Sequence, residues 1–276
     1  MKFVFFGTPR FAGYVLESLI EQDFLPALLI CNPDRPVGRK KTLTPPPTKI
    51  IAKEHSIPFS QHEVKTRHEL SILQADFYIV AAYGYIVAKE FLTLPTHGTI
   101  GVHPSLLPVY RGATPIQAAI MNQDATTGVA LYLMDEKMDH GPILADQEIT
   151  IEPHDTYLSL EKKLADLGSR LLCETIPKLL RNEIQPQEQN HNLATFTRKL
   201  SNEDGYVSPS DLEKAERGNA SLAREIDALV RALAHEPGVW TERDGKRMKI
   251  HKTEISNDGN LALRVIQFAG MKPHHL

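Results

Sequence analysis

The sequence predicts an α/β fold, with a doubly wound and mostly parallel sheet followed by a small β-barrel unit of the OB-like kind. Over residues 2–180, short apolar runs alternate with segments whose apolar residues recur at helical spacing. Strands that alternate with helices are typical of a parallel sheet covered by helices. After residue 220 the pattern changes to one amphipathic helix followed by several short strands, which is why we expect a second, β-rich unit.

The first strand is predicted at residues 2–6, an apolar run that Gly7 and Pro9 stop. A helix follows, because Phe11, Val15 and Leu19 lie on one face at helical spacing. The same two patterns, in turn, predict the remaining elements of this region: strands at 25–31, 77–82, 100–103 and 128–134, and helices at 49–55, 115–121 and 158–180.

The second unit is expected to begin with a helix over residues 221–234, whose apolar side carries Leu222, Ile226 and Leu229. Short strands are predicted at 239–241, 248–253 and 261–268, with a hairpin turn at 256–260. The stretch 182–192 is polar and has no periodicity, which is typical of a linker. We therefore predict a first domain at 1–182, a linker at 183–203 and a second domain at 204–276.

Composition limits the class of protein. An apolar fraction of 42% and a charged fraction of 24% are ordinary for a globular chain. Two cysteines, Cys31 and Cys173, are too few for a disulfide framework and indicate a reducing compartment, so we expect a cytoplasmic protein. No apolar stretch approaches the roughly 20 residues that span a bilayer, so we expect no membrane partner. A net charge of −3 means that nucleic acid binding would depend on local basic patches.

His103 is the leading candidate for chemistry. It ends a predicted strand and begins a loop braced by Pro104 and Pro108, at the sheet edge where ligands bind in such folds. A histidine at such a place can donate to developing negative charge and shuttle a proton, although a structural histidine in a turn is the alternative. Asp139 lies in a second loop and would orient His103 if it is close; otherwise it is a solvated turn residue.

Two basic segments are candidates for contact with phosphates. The first loop carries Arg35, Arg39, Lys40 and Lys41, and the second unit carries Arg243, Lys246 and Arg247. Clustered cations of this kind suit a nucleic acid backbone, while a solvated surface is the alternative for both.

Together these segments resemble the methionyl-tRNA formyltransferases. The loops around His103 and Asp139 resemble the motifs of the wider folate-dependent formyltransferases, and the Asp34-Arg35-Pro36 loop and the C-terminal unit narrow the resemblance to the tRNA enzymes. The matching segments are Phe5-Phe6-Gly7-Thr8-Pro9, Asn32 to Arg39, Val80 to Gly84, His103 to Gly112, Met134 to Gly141, Pro237 to Thr241 and Gln267 to Lys272.

The resemblance implies a reaction and a set of site residues. It implies 10-formyltetrahydrofolate as the formyl donor and the α-amino group of methionine on initiator tRNA as the acceptor, with no metal. His103 would stabilise the oxyanion, and Asp139 would orient His103 and assist proton removal. The folate would contact Ser105, Leu106, Leu107 and Pro108, together with Ala82, Tyr83 and Gly84. The loop Arg35 to Lys41 would contact the tRNA acceptor end. We expect a monomer.

Two departures from the family pattern bear on activity. The family places an asparagine two residues before the histidine, where its amide donates to the formyl oxygen, and this chain has Gly101. Loss of one oxyanion donor costs roughly 2.7–4 kcal/mol of transition-state stabilisation, so we hypothesise impaired transfer. The C-terminal domain is also expected to be shortened, because only Ser256 to Asn260 separate its two long strands.

Two other functions stay open on the sequence. One is an amino-sugar N-formyltransferase, since those enzymes share the histidine and aspartate motifs. The other is a catalytically weak homologue that binds folate or tRNA without turnover, which Gly101 makes conceivable.

Overall fold

A computed structural model describes residues 1–38, 40–61, 70, 73–85 and 87–276 of the chain. The chain forms two compact units. The first comprises residues 1–111, 128–148 and 162–196, and the second comprises 112–127, 149–161 and 197–276. The domain boundaries at 182 and 203 stay a prediction.

A seven-stranded sheet forms the centre of the first unit. Its strands are β1 Phe3–Gly7, β2 Leu28–Ile30, β5 Phe59–Ser60, β6 Phe77–Ala81, β7 Thr99–His103, β9 Thr126–Leu133 and β10 Ile143–Thr150. Their order in the sheet is β10-β9-β7-β6-β1-β2-β5. The strand β1 pairs in parallel with both β2 and β6, and β6 pairs in parallel with β7, which confirms the mostly parallel sheet.

The helices agree with the predicted ones to within a few residues, and short helices join them. Long helices bury an apolar stripe against the sheet, which is why helical spacing in the sequence located them. Among the described residues the helices are Arg10–Glu21, Pro47–Glu54, Lys89–Leu92, Pro115–Met121, Tyr157–Leu180, Pro209–Glu216 and Ala220–Ala232.

The strand β9 runs against the direction of its neighbour. It pairs antiparallel with β7, so that Gly101 lies opposite Tyr132 and His103 lies opposite Ala130. A mostly parallel sheet was predicted, and β9 runs in the opposite direction to β7. Because β9 is antiparallel, residues 134–142 leave the sheet level with the start of β7, and Met134 N donates to Thr99 O. The loop then reaches the end of β7, where Asp139 lies beside His103.

The apolar runs that predicted the strands form the core of the first unit. The side chains of Phe3, Phe5 and Phe6 are fully buried, as are those of Phe77 and Ile79 on the neighbouring strand. A strand buried on both faces reads as a continuous apolar run, and this explains why β1 and β6 show no alternation.

The second unit packs the helix Ala220–Ala232 on a four-stranded antiparallel sheet. The strands are β12 Val239–Arg243, β13 Lys246–Ile255, β14 Leu261–Phe268 and β15 His274–His275, paired in that order. Ile226, Val230, Met248, Ile250 and Ile266 belong to its buried core. The predicted hairpin turn is confirmed, since Ser256 N donates to Asn260 O between β13 and β14. The predicted small barrel is thus an antiparallel sheet.

The described residues also form two pairs of short strands. The segments β3 Arg35–Val37 and β4 Thr42–Thr44 pair with each other, as do β8 Arg111–Gly112 and β11 Phe196–Thr197. None of the helices in the described ranges is long and apolar enough to cross a membrane.

We predict that Gly7→Ala lowers the free energy of unfolding by about 1–3 kcal/mol, the usual cost of overpacking. A Cβ at this position would lie 2.6 Å from Ala12 Cβ and 3.0 Å from Ala81 O, and neither neighbour is a flexible side-chain end. Urea denaturation followed by circular dichroism measures the change. The matched control is Gly13→Ala, whose Cβ would be 3.3 Å from its nearest neighbours. Equal costs at the two positions would contradict this packing argument.

Candidate active site

His103 ends β7 with its ring almost fully buried, only 6% of the residue being exposed. Its Nε2 lies 2.9 Å from Tyr110 O, a backbone carbonyl of the loop that follows. A carbonyl oxygen accepts and never donates, so Nε2 carries a hydrogen. The ring is thereby fixed, and its other nitrogen, Nδ1, is directed to Asp139.

Asp139 lies beside this histidine, as the sequence predicted. Its Oδ2 is 3.7 Å from His103 Nδ1, and the Asp139 side chain is 15% exposed. The separation allows charge attraction but exceeds the distance of a good N–H···O hydrogen bond. Asp139 also has a φ of +49°, a left-handed conformation that few residues other than glycine adopt. The surrounding contacts must therefore hold this residue in place.

Tyr132 holds the carboxylate from the other side. This residue is buried, and its hydroxyl donates to Asp139 Oδ1 over 2.7 Å. Burial and the charge of Asp139 raise the pKa of Tyr132 well above its ordinary value, so the hydroxyl keeps its hydrogen at neutral pH. Tyr132 could not be singled out from the sequence, because in the apolar run 128–134 it is indistinguishable from the other buried strand residues.

The Tyr132 ring fills the space beside Gly101. The two residues are cross-strand partners. A Cβ placed on Gly101 would lie 2.5 Å from Tyr132 Cζ and 2.8 Å from its hydroxyl oxygen, closer than real contacts allow. The Tyr132 ring can therefore take this position only because residue 101 has no side chain.

Gln189 fixes the backbone of the Asp139 loop. Its buried amide donates to Asp139 O over 3.0 Å and to Gly141 O over 2.7 Å. Its own carbonyl accepts from the guanidinium of Arg111, whose NH2 is also 2.9 Å from His191 Nδ1. The segment read as a linker thus contributes to the site. No feature of the polar sequence around residue 189 distinguishes it.

A stacked pair of histidines lies beyond Gln189. The rings of His140 and His191 are 4.1 Å apart and nearly parallel, and His140 Nδ1 is 2.6 Å from Asp135 Oδ2. Desolvation lowers the pKa of His191, which is exposed, and the charges of His140 and Arg111 act in the same direction. The stacked rings join the Asp139 loop, through His140, to the segment that carries Gln189.

The loops after the parallel strands meet, as the sequence predicted. Thr8 Oγ1 donates to Tyr83 O over 3.2 Å and accepts from Asn32 N over 3.1 Å, which joins the ends of β1, β2 and β6. Ala82 and Gly84 have positive φ values of 44° and 83°. The side chain of Asn32 is buried, and its Oδ1 has no hydrogen-bond partner among the residues that the structure describes.

The segment Ser105 to Pro108 follows His103 directly. Ser105 Oγ donates to Val109 O over 2.5 Å, which closes the loop on itself. Leu107 is buried and packs in one cluster with Ala130 and Tyr132. Leu106 and Pro108 are half-buried. The segment therefore forms a firm wall next to the pair His103 and Asp139.

The basic loop of the first unit is an exposed hairpin. Arg35 lies on β3, and its NH2 is 3.4 Å from Tyr85 Oη. Lys40 and Lys41 are exposed at the turn, whereas Arg39 lies outside the described residues. Asp34, which precedes the hairpin, accepts from Lys49 over 2.7 Å and so ties its base to a helix.

The basic residues predicted in the second unit have two kinds of surroundings. Arg243 donates to Glu216 over 2.8 Å, so its charge is compensated. The guanidinium of Arg247 lies 3.9 Å from the centroid of the Trp240 ring, a cation–π contact, while Lys246 is exposed. In neither unit do three His, Cys, Asp or Glu side chains of the described residues group to hold a metal ion.

Comparison with known proteins decides the family. The formyl transferase family profile matches residues 1–176, and that of the formyl transferase C-terminal domain matches residues 220–273. The methionyl-tRNA formyltransferase of Thermotoga maritima is 35% identical over 99% of this chain and 92% of its own length. The chain belongs to the methionyl-tRNA formyltransferase family.

Solved structures share the fold of this formyltransferase. An N-formyltransferase of Helicobacter canadensis, in complex with folinic acid and dTDP-3-aminofucose, superposes with a TM-score of 0.67 at 20% identity, over 93% of this chain and 88% of its own. The methionyl-tRNA formyltransferase of Clostridium thermocellum superposes with a TM-score of 0.58 at 17% identity, over 97% and 98% of the two chains. At these identities the likeness concerns the fold.

We predict that Gly101→Ala destabilises this formyltransferase by about 1–3 kcal/mol, because the new methyl group would overlap the Tyr132 ring. The cost should fall sharply in a Tyr132→Val background, where the ring is absent. A double-mutant cycle on the free energy of unfolding measures this coupling, which we expect to be on the order of 1 kcal/mol or more. Additive effects would contradict the steric pairing of the two residues.

Proposed function

We propose that this formyltransferase moves a formyl group from 10-formyltetrahydrofolate to the α-amino group of methionine on initiator tRNA. The family to which the chain belongs supports the reaction, and the pair His103 and Asp139 supports its location. The observation that carries the proposal is the 3.7 Å separation of His103 Nδ1 and Asp139 Oδ2 beside a firm loop.

His103 acts as the donor to the oxyanion. Its Nε2 hydrogen is engaged with Tyr110 O, which leaves Nδ1 as the atom directed to the reacting group. When the amine attacks the formyl carbon, a C–N bond forms and the carbonyl π electrons move to oxygen. A hydrogen on Nδ1 of the protonated ring then stabilises that charge.

Asp139 receives the proton that the attacking amine loses. The 3.7 Å separation lets one polar substrate atom, placed to the side of the pair, contact both His103 Nδ1 and Asp139 Oδ2. As the tetrahedral intermediate collapses, the carbonyl re-forms and the bond from the formyl carbon to the folate nitrogen breaks. That nitrogen takes up a proton, which balances the one that the amine gave.

The loops after β1, β2 and β6 fit a folate. A planar ring with amide-like donors and acceptors needs an approachable backbone, which Ala82 to Gly84 provide with their positive φ values. The unpartnered Oδ1 of Asn32 is an acceptor of the kind such a ring would satisfy. The wall Ser105 to Pro108 would line the path to His103. The folate itself supplies the activated formyl group.

For the tRNA we assign contacts to the exposed cations of each unit. Arg35, Lys40 and Lys41 on the first hairpin are exposed, and Arg39 belongs to the same loop of the sequence. In the second unit, Lys246 and Arg247 are the better candidates, since Arg243 is paired with Glu216. Such contacts to phosphate give affinity that falls with salt.

We place the reaction in the cytoplasm and expect the enzyme to act as a monomer. Both cysteines are free, and burial raises the pKa of each thiol to about 11, which suppresses their oxidation and suits a reducing compartment. Sedimentation at micromolar concentration would test the monomer.

We predict that His103→Ala abolishes formyl transfer, with a loss of at least about 100-fold in kcat, because a positioned donor of this kind contributes 10² or more. The thermal midpoint should change little. The matched control is His97→Ala, since His97 is a half-buried histidine of the same unit that packs on Phe77. Near-normal activity of His103→Ala would refute the assigned role.

The acceptor is tested by offering charged initiator tRNA and, separately, an amino-sugar nucleotide, with the same labelled formyl donor. We expect formylmethionyl-tRNA as the product. Transfer to the sugar alone would contradict the proposed acceptor, and folate binding without transfer to either would contradict the proposed reaction.

A further inference from the structure

Asp139 must be held by its neighbours, because a left-handed φ of +49° is unfavourable for a residue with a side chain. Gln189 and Tyr132 both contribute to holding it. Gln189 donates to the backbone carbonyl of Asp139, and Tyr132 donates to Oδ1 of its carboxylate. The first contact fixes where the loop runs, and the second fixes which way the carboxylate turns.

The direction of the carboxylate decides whether one of its oxygens meets His103. With Oδ1 bound to the Tyr132 hydroxyl at 2.7 Å, Oδ2 lies 3.7 Å from His103 Nδ1. The two oxygens are equivalent, so a half-turn restores both contacts, but a smaller rotation loses the tyrosine contact. The phenol therefore fixes the plane of the carboxylate, with one oxygen toward His103.

The phenol has this position because of the residue opposite it. The position of a Cβ on Gly101 would be only 2.8 Å from the hydroxyl oxygen. An asparagine amide atom lies roughly 2.5 Å from its own Cβ by standard bond lengths, so the Tyr132 hydroxyl occupies the space that such an amide would need. The cluster of Leu107, Ala130 and Tyr132 fixes the ring from the other side.

We propose that Tyr132 is a positioning residue of the transfer site, which turns the Asp139 carboxylate toward His103 from the space that Gly101 leaves open. This inference rests on the proposed function. Gly101 and Tyr132 then act together. The glycine leaves room for the ring, and the ring carries the hydroxyl that donates to Asp139 Oδ1.

The role of the phenol is to orient the Asp139 carboxylate, through the hydrogen bond from its hydroxyl to Oδ1. A group that acts only on a catalytic side chain contributes to the rate of the bound complex and not to the binding of either substrate. Loss of the Tyr132 hydroxyl should therefore lower kcat and leave KM unchanged.

The test is Tyr132→Phe, which keeps the ring over Gly101 and removes only the hydroxyl. We expect kcat to fall about 10- to 100-fold, part of the 10²–10⁴ that a positioned acid–base group contributes. KM for folate and tRNA should stay within about 2-fold, because the hydroxyl contacts Asp139 and neither substrate. The matched control is Tyr78→Phe, since Tyr78 is a fully buried tyrosine of the same sheet outside the site.

A second variant tests whether Tyr132 acts through Asp139. In an Asp139→Asn background, Tyr132→Phe should cause no further loss of rate. An unchanged kcat in the single variant, or a full additional loss in the double variant, would overturn the inference.

A third measurement does not depend on transfer. In a crystal structure of Tyr132→Phe, the Asp139 carboxylate should be turned from its wild-type direction or occupy more than one orientation. A carboxylate that keeps the wild-type direction overturns the inference whatever the activity. If instead the wild type transfers no formyl group while the carboxylate turns in the variant, the proposed function fails and the contact between Tyr132 and Asp139 stands.

Discussion

The carboxylate of Asp139 is shared between a phenol and an imidazole, and the arrangement of the site depends on that sharing. Oδ1 accepts from Tyr132 while Oδ2 faces His103. A carboxylate held on one side only could rotate out of this plane, whereas the contact with Tyr132 keeps one oxygen toward a ring that is itself fixed by Tyr110 O. Acyl transfer benefits from such fixed groups because they need no reorganisation as charge develops.

The fold brings these groups together through one antiparallel strand in a mostly parallel sheet. Because β9 runs against β7, Tyr132 faces Gly101 across the pair, two residues before His103. The chain then leaves β9 level with the start of β7 and returns along the sheet through residues 134–142. Gln189, from a segment far along the sequence, donates to the backbone of that loop, and Arg111 donates to Gln189. Each of these contacts depends on the strand direction.

Much of the fold could be predicted from the sequence, because buried strands and amphipathic helices have distinct periodicities. The candidates His103 and Asp139 could also be found, since proline and glycine mark the loops that carry them. Tyr132 could not, because its role depends on the register that places it opposite Gly101, and a strand's sequence does not encode its partner. Gln189 lies in a polar stretch whose neighbours give no signal of its burial. The space that Tyr132 takes beside residue 101 could not be foreseen for the same reason, and impaired transfer through Gly101 stays a hypothesis.

The central claim is that Gly101 and Tyr132 together form an intact site, so an asparagine at residue 101 should harm it. The direct measurement is the single-turnover rate of formyl transfer to charged initiator tRNA, compared between the wild type and Gly101→Asn at saturating folate. The account predicts a slower rate for Gly101→Asn, because the new side chain would displace the Tyr132 ring. A faster rate in that variant would show that the glycine had cost the enzyme an oxyanion donor, and it would contradict the account.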